Sequence, residues 1–460
     1  MSDLLDMTAD WTPDPADDTF VAATPEELAE LARAGRDPLA DWAWWTRRPE
    51  LRHIYEHARL YRAAPAAVLG YVLARVAAQT PPTVTLPAIM GSPGSLNYYA
   101  ALVGPSGAGK GRATGAGKSA VTFAGGNLYE TAGIGSGEGV TSVFAHAEEE
   151  KIDLGNGEKE SRRTLVWHTR QALLRVDEIA SLRTQLDRAG SSLAEILLSM
   201  WMGELAGGQY KPGNPSTPLP EHEYRAAMTV GVQPRMSAAL LGRHASGSGL
   251  AQRFLWFRVK PEDQELATLD LLRQQREAVP LRLDLPRWSG PTVLDVDDAI
   301  LLEIMNADEM SVNGIDPMDT HSMFAREKVA ALLAIMRGST RVNLEDWSLA
   351  RDVMDHSKLA RQDCIDGLAE AAAEENQDAG RGQAQRRIAA SDAEAELKAE
   401  RVTELRRLIL DHWKNQGKPT RWAPVRRKIA YRSHRDADRV AMDLAAEIAG
   451  FPAPDLEIVA

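Results

Sequence analysis

The chain has 460 residues, with 53 Lys and Arg against 65 Asp and Glu, a net charge of −12, and a single cysteine, Cys364. One cysteine excludes internal disulfides and multi-cysteine zinc sites, and it fits a reducing, cytoplasmic setting. No apolar run approaches the roughly 20 residues that cross a bilayer, and the acidic, proline-broken first thirty residues lack the apolar core of a signal peptide, so no membrane partner is expected. The net charge hides an asymmetry: residues 1–50 carry four basic against twelve acidic side chains, and residues 401–440 carry twelve against four. Opposite-signed ends point to distinct tasks, with nucleic acid or an acidic partner at the C-terminal end.

In chain order, residues 1–25 read as a disordered acidic arm and 26–80 as a helical N-terminal region, in which Trp42, Trp44 and Trp45 pack on the core or stack on bases. From 81 to 289 strands and helices alternate, as in an α/β domain. Leu96–Val103 reads as a buried strand, and it runs directly into Gly104-Pro105-Ser106-Gly107-Ala108-Gly109-Lys110-Gly111. A strand feeding a glycine-rich turn that ends in Gly-Lys cradles nucleoside triphosphate phosphates: backbone N–H groups crowd round the anion, the next helix presents its positive end, and the lysine reaches the β and γ phosphates. A mobile Gly/Ala/Ser linker is the plain alternative. Gly111 stands where a Ser or Thr normally ligates Mg²⁺, which leaves Asp177, phosphate oxygens and waters, with Thr114 as a further donor. A second Gly-Lys-Ser, Gly117-Lys118-Ser119, has Arg112 in place of its first glycine and no strand directly before it.

Farther along, Asp153-Leu-Gly-Asn-Gly-Glu158 signals a hairpin turn between polar arms. Ala172-Leu-Leu-Arg-Val-Asp177-Glu178 is a short apolar run ending in two acids, expected beside the phosphate-loop strand, with Asp177 holding Mg²⁺ and Glu178 polarising a lytic water. Gly207–Pro215 is dense in turn formers, and Thr229–Pro234 ends a strand at Gln233. Residues 290–370 turn helical, with Val329, Leu332, Leu333 and Met336 spaced for one apolar stripe. Residues 371–401 read as a helical or flexible linker, and 402–460 as a basic three-helix module, with Arg426, Arg427 and Lys428 facing a DNA backbone, the acidic arm or a partner protein.

The order of phosphate loop, acidic strand, Gly-Val-Gln-Pro strand end, Leu-Ala-Gln-Arg-Phe and helical lid resembles the primase-associated helicase ATPases of phages, prophages and plasmids, in the AAA+ lineage with superfamily III and minichromosome maintenance helicases. The resemblance spans roughly residues 40–370 and implies an α/β P-loop AAA+ core with a helical lid and a winged-helix or helix-turn-helix end. It assigns Gln233 as the sensor that orients water, Arg253 as an arginine supplied to the neighbouring subunit, Arg326 as a second sensor, and Lys211, beside Tyr210, as a pore residue gripping DNA; a solvated loop lysine is the alternative for Lys211. Gly135-Ser-Gly-Glu138-Gly139 is either a family element or a simple helix cap. The function implied is an ATP- and Mg²⁺-dependent DNA helicase or translocase, a homo-hexamer on single-stranded or forked DNA, served by a separate primase. A non-unwinding ATP switch, such as an initiator, loader or defence protein, needs the same ATP site and stays open.

Overall fold

Prolines at the first turn open two helices, where a missing N–H costs nothing: α1 (Pro49–Leu60) and α2 (Pro65–Gln79). In this computed structural model the described residues are 36–89, 91–124, 128–153, 159–188, 190–207, 218–242, 249–260, 267–311 and 321–454. The acidic arm, Tyr210, Lys211 and residues 154–158 of the hairpin turn lie outside them.

After α2 come strand β1 (Tyr98–Val103), helix α3 (Lys110–Ala120), strands β2 (Glu130–Ala132) and β3 (Gln171–Val176), helices α4 (Ile179–Leu186) and α5 (Leu193–Met202), and strands β4 (Arg225–Val232) and β5 (Phe254–Arg258). The five strands form one parallel sheet in the order β5-β1-β4-β3-β2. This corrects one expectation: the acid-bearing β3 does not lie beside β1, because β4 is inserted between them. Burial accounts for the placement. All eight residues of β4 are buried, as a strand covered on both faces requires, whereas β3 has half-buried Gln171 and Arg175 along it.

Alternate residues of β1 feed two cores. Tyr98, Ala100 and Leu102 join one with α2 and the N-terminal tryptophans, and Tyr99, Ala101 and Val103 join another with α4 and α5. Trp44 and Trp45 are buried, and Trp45 Nε1 donates to Leu39 O at 2.9 Å, while Trp42 is exposed against Tyr55. Helix α2 lies so close to the sheet that a Cβ at Gly70 would sit 2.5 Å from the Phe257 ring. The polar arms around the hairpin signal pair as a two-stranded antiparallel ribbon, Ala145–Asp153 with Lys159–Trp167.

Helix α6 (Ser322–Met336) departs from the single stripe expected of it: from Ala325 onward nearly every residue is buried, Glu327 and Lys328 included. Helix α7 spans Leu344–Asn415, continuous through 371–401. The chain divides into two units, Met1–Glu370 and Ala371–Ala460. In the second, Leu405, Ile409 and Trp413 of α7 build a small core with α8 (Trp422–Arg426) and α9 (His434–Glu447). Among its described residues there is no strand, hence no wing. No helix among the described residues is long and apolar enough to cross a membrane.

Candidate nucleotide site

The phosphate-type loop is built as its glycines require. Gly104 N donates to Val232 O at 2.9 Å, and a Cβ at Gly104 would lie 2.4 Å from Val259 Cγ2, so the chain leaving β5 pins the start of the loop. Gly107 and Gly109 have φ of +77° and +110°, values that favour glycine. Ala108 N donates to Pro105 O at 3.2 Å, leaving Pro105 and Ser106 exposed at the tip. Helix α3 then opens at Lys110, and the N–H groups of its first turn have no carbonyl partner within the helix. Lys110 Nζ bends over the loop to Gly104 O at 2.9 Å and Pro105 O at 3.1 Å. Burial lowers its pKa, and the nearby Glu178 carboxylate opposes that shift.

A cleft of about 380 Å³ continues from Lys110 between α3 and the sheet. Gly111, Thr114, Gly115 and Lys118 line its helical wall at i, i+3, i+4 and i+7, one face of α3 without an apolar side chain. The second Gly-Lys-Ser is therefore part of the same helix rather than a second loop. Gly117 packs on Tyr71, and Ser119 Oγ meets His57 Nε2 at 2.8 Å. The opposite wall carries Arg175, Asp177, Thr229 and Gly231. A Cβ at Gly231 would lie 2.2 Å from Asp177 O and 3.2 Å from Lys110 Cδ, so only a bare backbone passes between the lysine and the acid strand. Sequence reasoning missed Gly231, although a lone glycine inside an apolar strand is a signal of close approach.

Asp177 is exposed, and its carboxylate accepts from Arg175 Nε at 3.0 Å. Glu178 precedes α4 without spending its carboxylate on a capping hydrogen bond. Gln233 follows β4 and begins the short turn Pro234–Met236, likewise without a side-chain cap. Since β4 runs between β1 and β3 and all are parallel, Gln233 sits at the strand ends between the loop and the two acids. Behind it, Ser237 Oγ donates to Pro234 O and to Cys364 O, and Gly367 packs against Pro234, fixing the strand tip to α7.

The two arginines expected at an ATP site, Arg253 from a neighbouring subunit and Arg326 as a second sensor, are each held by partners within their own chain. Arg253 Nη1 donates to Gly249 O at 2.8 Å, its guanidinium lies 5.5 Å from the Trp201 ring, and burial lowers its pKa. Reaching a neighbouring subunit requires it to leave those partners. Arg326 is held within the helical region: Nη1 donates to Glu303 at 2.7 Å, Nε and Nη2 to Trp347 O, and the group stacks 3.7 Å over the Trp347 ring. In the Gly135–Gly139 segment, Ser136 Oγ caps the helix Gly137–Ser142 by accepting from Gly139 N. In the second unit Arg426 is removed from the DNA-facing set, because it pairs in two-pronged fashion with buried Asp438, which also accepts from Trp422 Nε1 at 2.7 Å. Arg427 and Lys428 are exposed.

No family model matches the chain, and no curated protein does. Its geometry suits a nucleoside triphosphate: a glycine-bounded cradle, a helix N-terminus and a lysine stand together. For a hydrated divalent ion the cleft offers the Asp177 carboxylate and the Thr114 hydroxyl, together with Thr229, whose buried hydroxyl has no hydrogen-bond partner among the described residues. Gly111 adds no oxygen.

Proposed function

We propose that this chain is a cytoplasmic ATPase that drives a DNA helicase or translocase, working as a homo-hexameric ring of the AAA+ kind on single-stranded or forked DNA, with priming left to a separate protein. One observation carries the proposal: the Lys110 loop, the Asp177–Glu178 pair and Gln233 meet at the carboxyl ends of three adjacent parallel strands, where open α/β sheets bind ligands. Backbone N–H groups of Gly107–Gly111 and the Lys110 ammonium hold the triphosphate and take up its charge. Gln233 orients a water, and Glu178 accepts its proton as the oxygen attacks the γ phosphorus and the bond to the bridging oxygen breaks, giving ADP and phosphate. Mg²⁺, when bound, supplies charge neutralisation at the phosphates, with Asp177 and Thr114 to hold it. The basic surface around Arg427 and Lys428 supports a nucleic-acid partner.

The position of Arg253 favours a second reading, an ATP switch controlling assembly without unwinding, since its guanidinium is spent within its own chain on Gly249 O and the Trp201 ring. ATP hydrolysis with and without single-stranded DNA, in wild type and Glu178→Gln, separates the two. Turnover stimulated by DNA and abolished in the variant is expected of the motor. Turnover indifferent to DNA supports the switch, and no turnover in either condition removes the ATPase.

A further inference from the structure

The cleft beneath α3 contains an ion-pair row that a phosphate loop does not itself require. Lys118 Nζ lies 2.8 Å from one Glu130 oxygen, and Arg175 Nη1 lies 3.0 Å from the other. Arg175 also contacts Asp177 through Nε at 3.0 Å. Four charges therefore alternate as Lys118, Glu130, Arg175, Asp177, drawn from α3, β2, β3 and the residue that follows β3. The row is anchored at Glu130, which accepts a third bond from the hydroxyl of buried Tyr71 at 3.1 Å. It is loose at its outer end, where the Asp177 side chain is 71% exposed against 25% for Arg175. Space above it is open among the described residues, because a Cβ at Gly111 or Gly115 would meet none of their atoms within 4 Å.

We propose that Arg175 is a built-in competitor for the divalent cation, holding the Asp177 carboxylate until a metal-bound nucleotide takes it. The inference rests on the nucleotide reading above. Arg175 must release Asp177 before that carboxylate can serve a cation fully, and Glu130 keeps the guanidinium in the cleft after release. Freed from Asp177, its Nε–H becomes a donor within the same cavity as the Lys110 ammonium. Gly111 gives the competition leverage: with no hydroxyl at that position, Asp177 carries a larger share of metal binding. Charge alternation sets the direction of each substitution. Removing Arg175 liberates Asp177, and removing the charge of Glu130 leaves Arg175 with Asp177 as its nearest carboxylate.

The test uses the full chain and a fluorescent ATP analogue titrated with Mg²⁺, with Mn²⁺ electron paramagnetic resonance as a direct count of bound metal. Arg175→Gln is expected to reach half-maximal binding at about threefold lower Mg²⁺, the scale of one exposed ion pair. Glu130→Gln is expected to need more Mg²⁺ than wild type, and Arg175→Lys to recover part of the wild-type requirement. Unfolding temperatures measured alongside identify a variant that has lost its fold, and Arg175→Lys then carries the comparison. An Arg175→Gln protein that folds normally and needs as much Mg²⁺ as wild type, or more, overturns the competition while leaving nucleotide binding intact. Wild-type protein that binds no nucleotide at any metal concentration overturns the nucleotide reading, and the competition with it.

Discussion

Gly231 shows how one missing methyl group shapes the candidate site. Alanine there would push a carbon to 2.2 Å from Asp177 O, against backbone that has no freedom to rotate away. Displacing the acid strand relative to Lys110 by even part of an ångström disrupts a geometry on which phosphate binding depends, so Gly231→Ala should weaken nucleotide binding by about tenfold or more. Equilibrium binding of an ATP analogue checks this, and wild-type affinity would show that β4 does not set the spacing. Gly111 is the opposite case, since a side chain added there meets open space. Gly111→Ser is expected to bind nucleotide at lower Mg²⁺ than wild type, measured in the same titration, and a higher requirement would mean that the hydroxyl points away from the metal.

The residues that were legible in advance are those whose chemistry is local. Glycines between a strand and a helix, ending in lysine, announce a phosphate cradle because the backbone conformation and the charge come from one stretch of eight residues. Two acids at a strand end are equally local. Arg175, Glu130 and Lys118 were not legible, because their row exists only once three separate elements are folded together. Arg253 and Arg326 read in sequence as an arginine for a neighbouring subunit and a second sensor, and what holds them within their own chain includes Trp201, Trp347 and Glu303, aromatic and acidic partners at 21 or more positions away.

At the scale of elements, α3 is held from behind by α1. His57 is buried and shares a hydrogen bond with Ser119 of α3, beside a stacked His53. Burial, and then the His53 charge, pushes its pKa down to about 4 from an ordinary 6.5. The unfolded chain therefore binds a proton that the folded chain refuses, so the contribution of His57 is fully present above pH 6.5 and is lost as pH falls toward 4. Unfolding by urea at pH 7 and pH 5 should reveal this loss, on the order of 2 kcal/mol, and a flatter dependence in His57→Gln. An unchanged dependence in the variant would place the acid sensitivity elsewhere. The order of strands belongs to this scale too: β4 reads as an apolar strand in sequence, but its insertion between β1 and β3 follows from competition for two-sided burial, which no single strand records.

For the molecule as a whole, the two units have separate cores and separate charge. Within the second unit the basic residues divide by role. Arg426→Ala would leave Asp438 buried without its cation and should destabilise the unit by about 3 kcal/mol, read by thermal unfolding of the full chain. Arg427→Ala and Lys428→Ala should leave its unfolding unchanged and each reduce the salt slope of DNA binding by about one, as loss of a phosphate contact does. Equal salt slopes in wild type and both variants would remove DNA from this surface.

The one sulfhydryl in the chain offers a clock. Cys364 is fully buried on α7 against the turn that follows Gln233, and burial pushes its thiol up to about 12. A reagent that modifies thiolates can reach it only when the helix and the strand tip separate, so its rate of labelling counts those openings without any engineered probe. A rate that falls when a nucleotide is added would mean that the strand tip and α7 close together around the ligand.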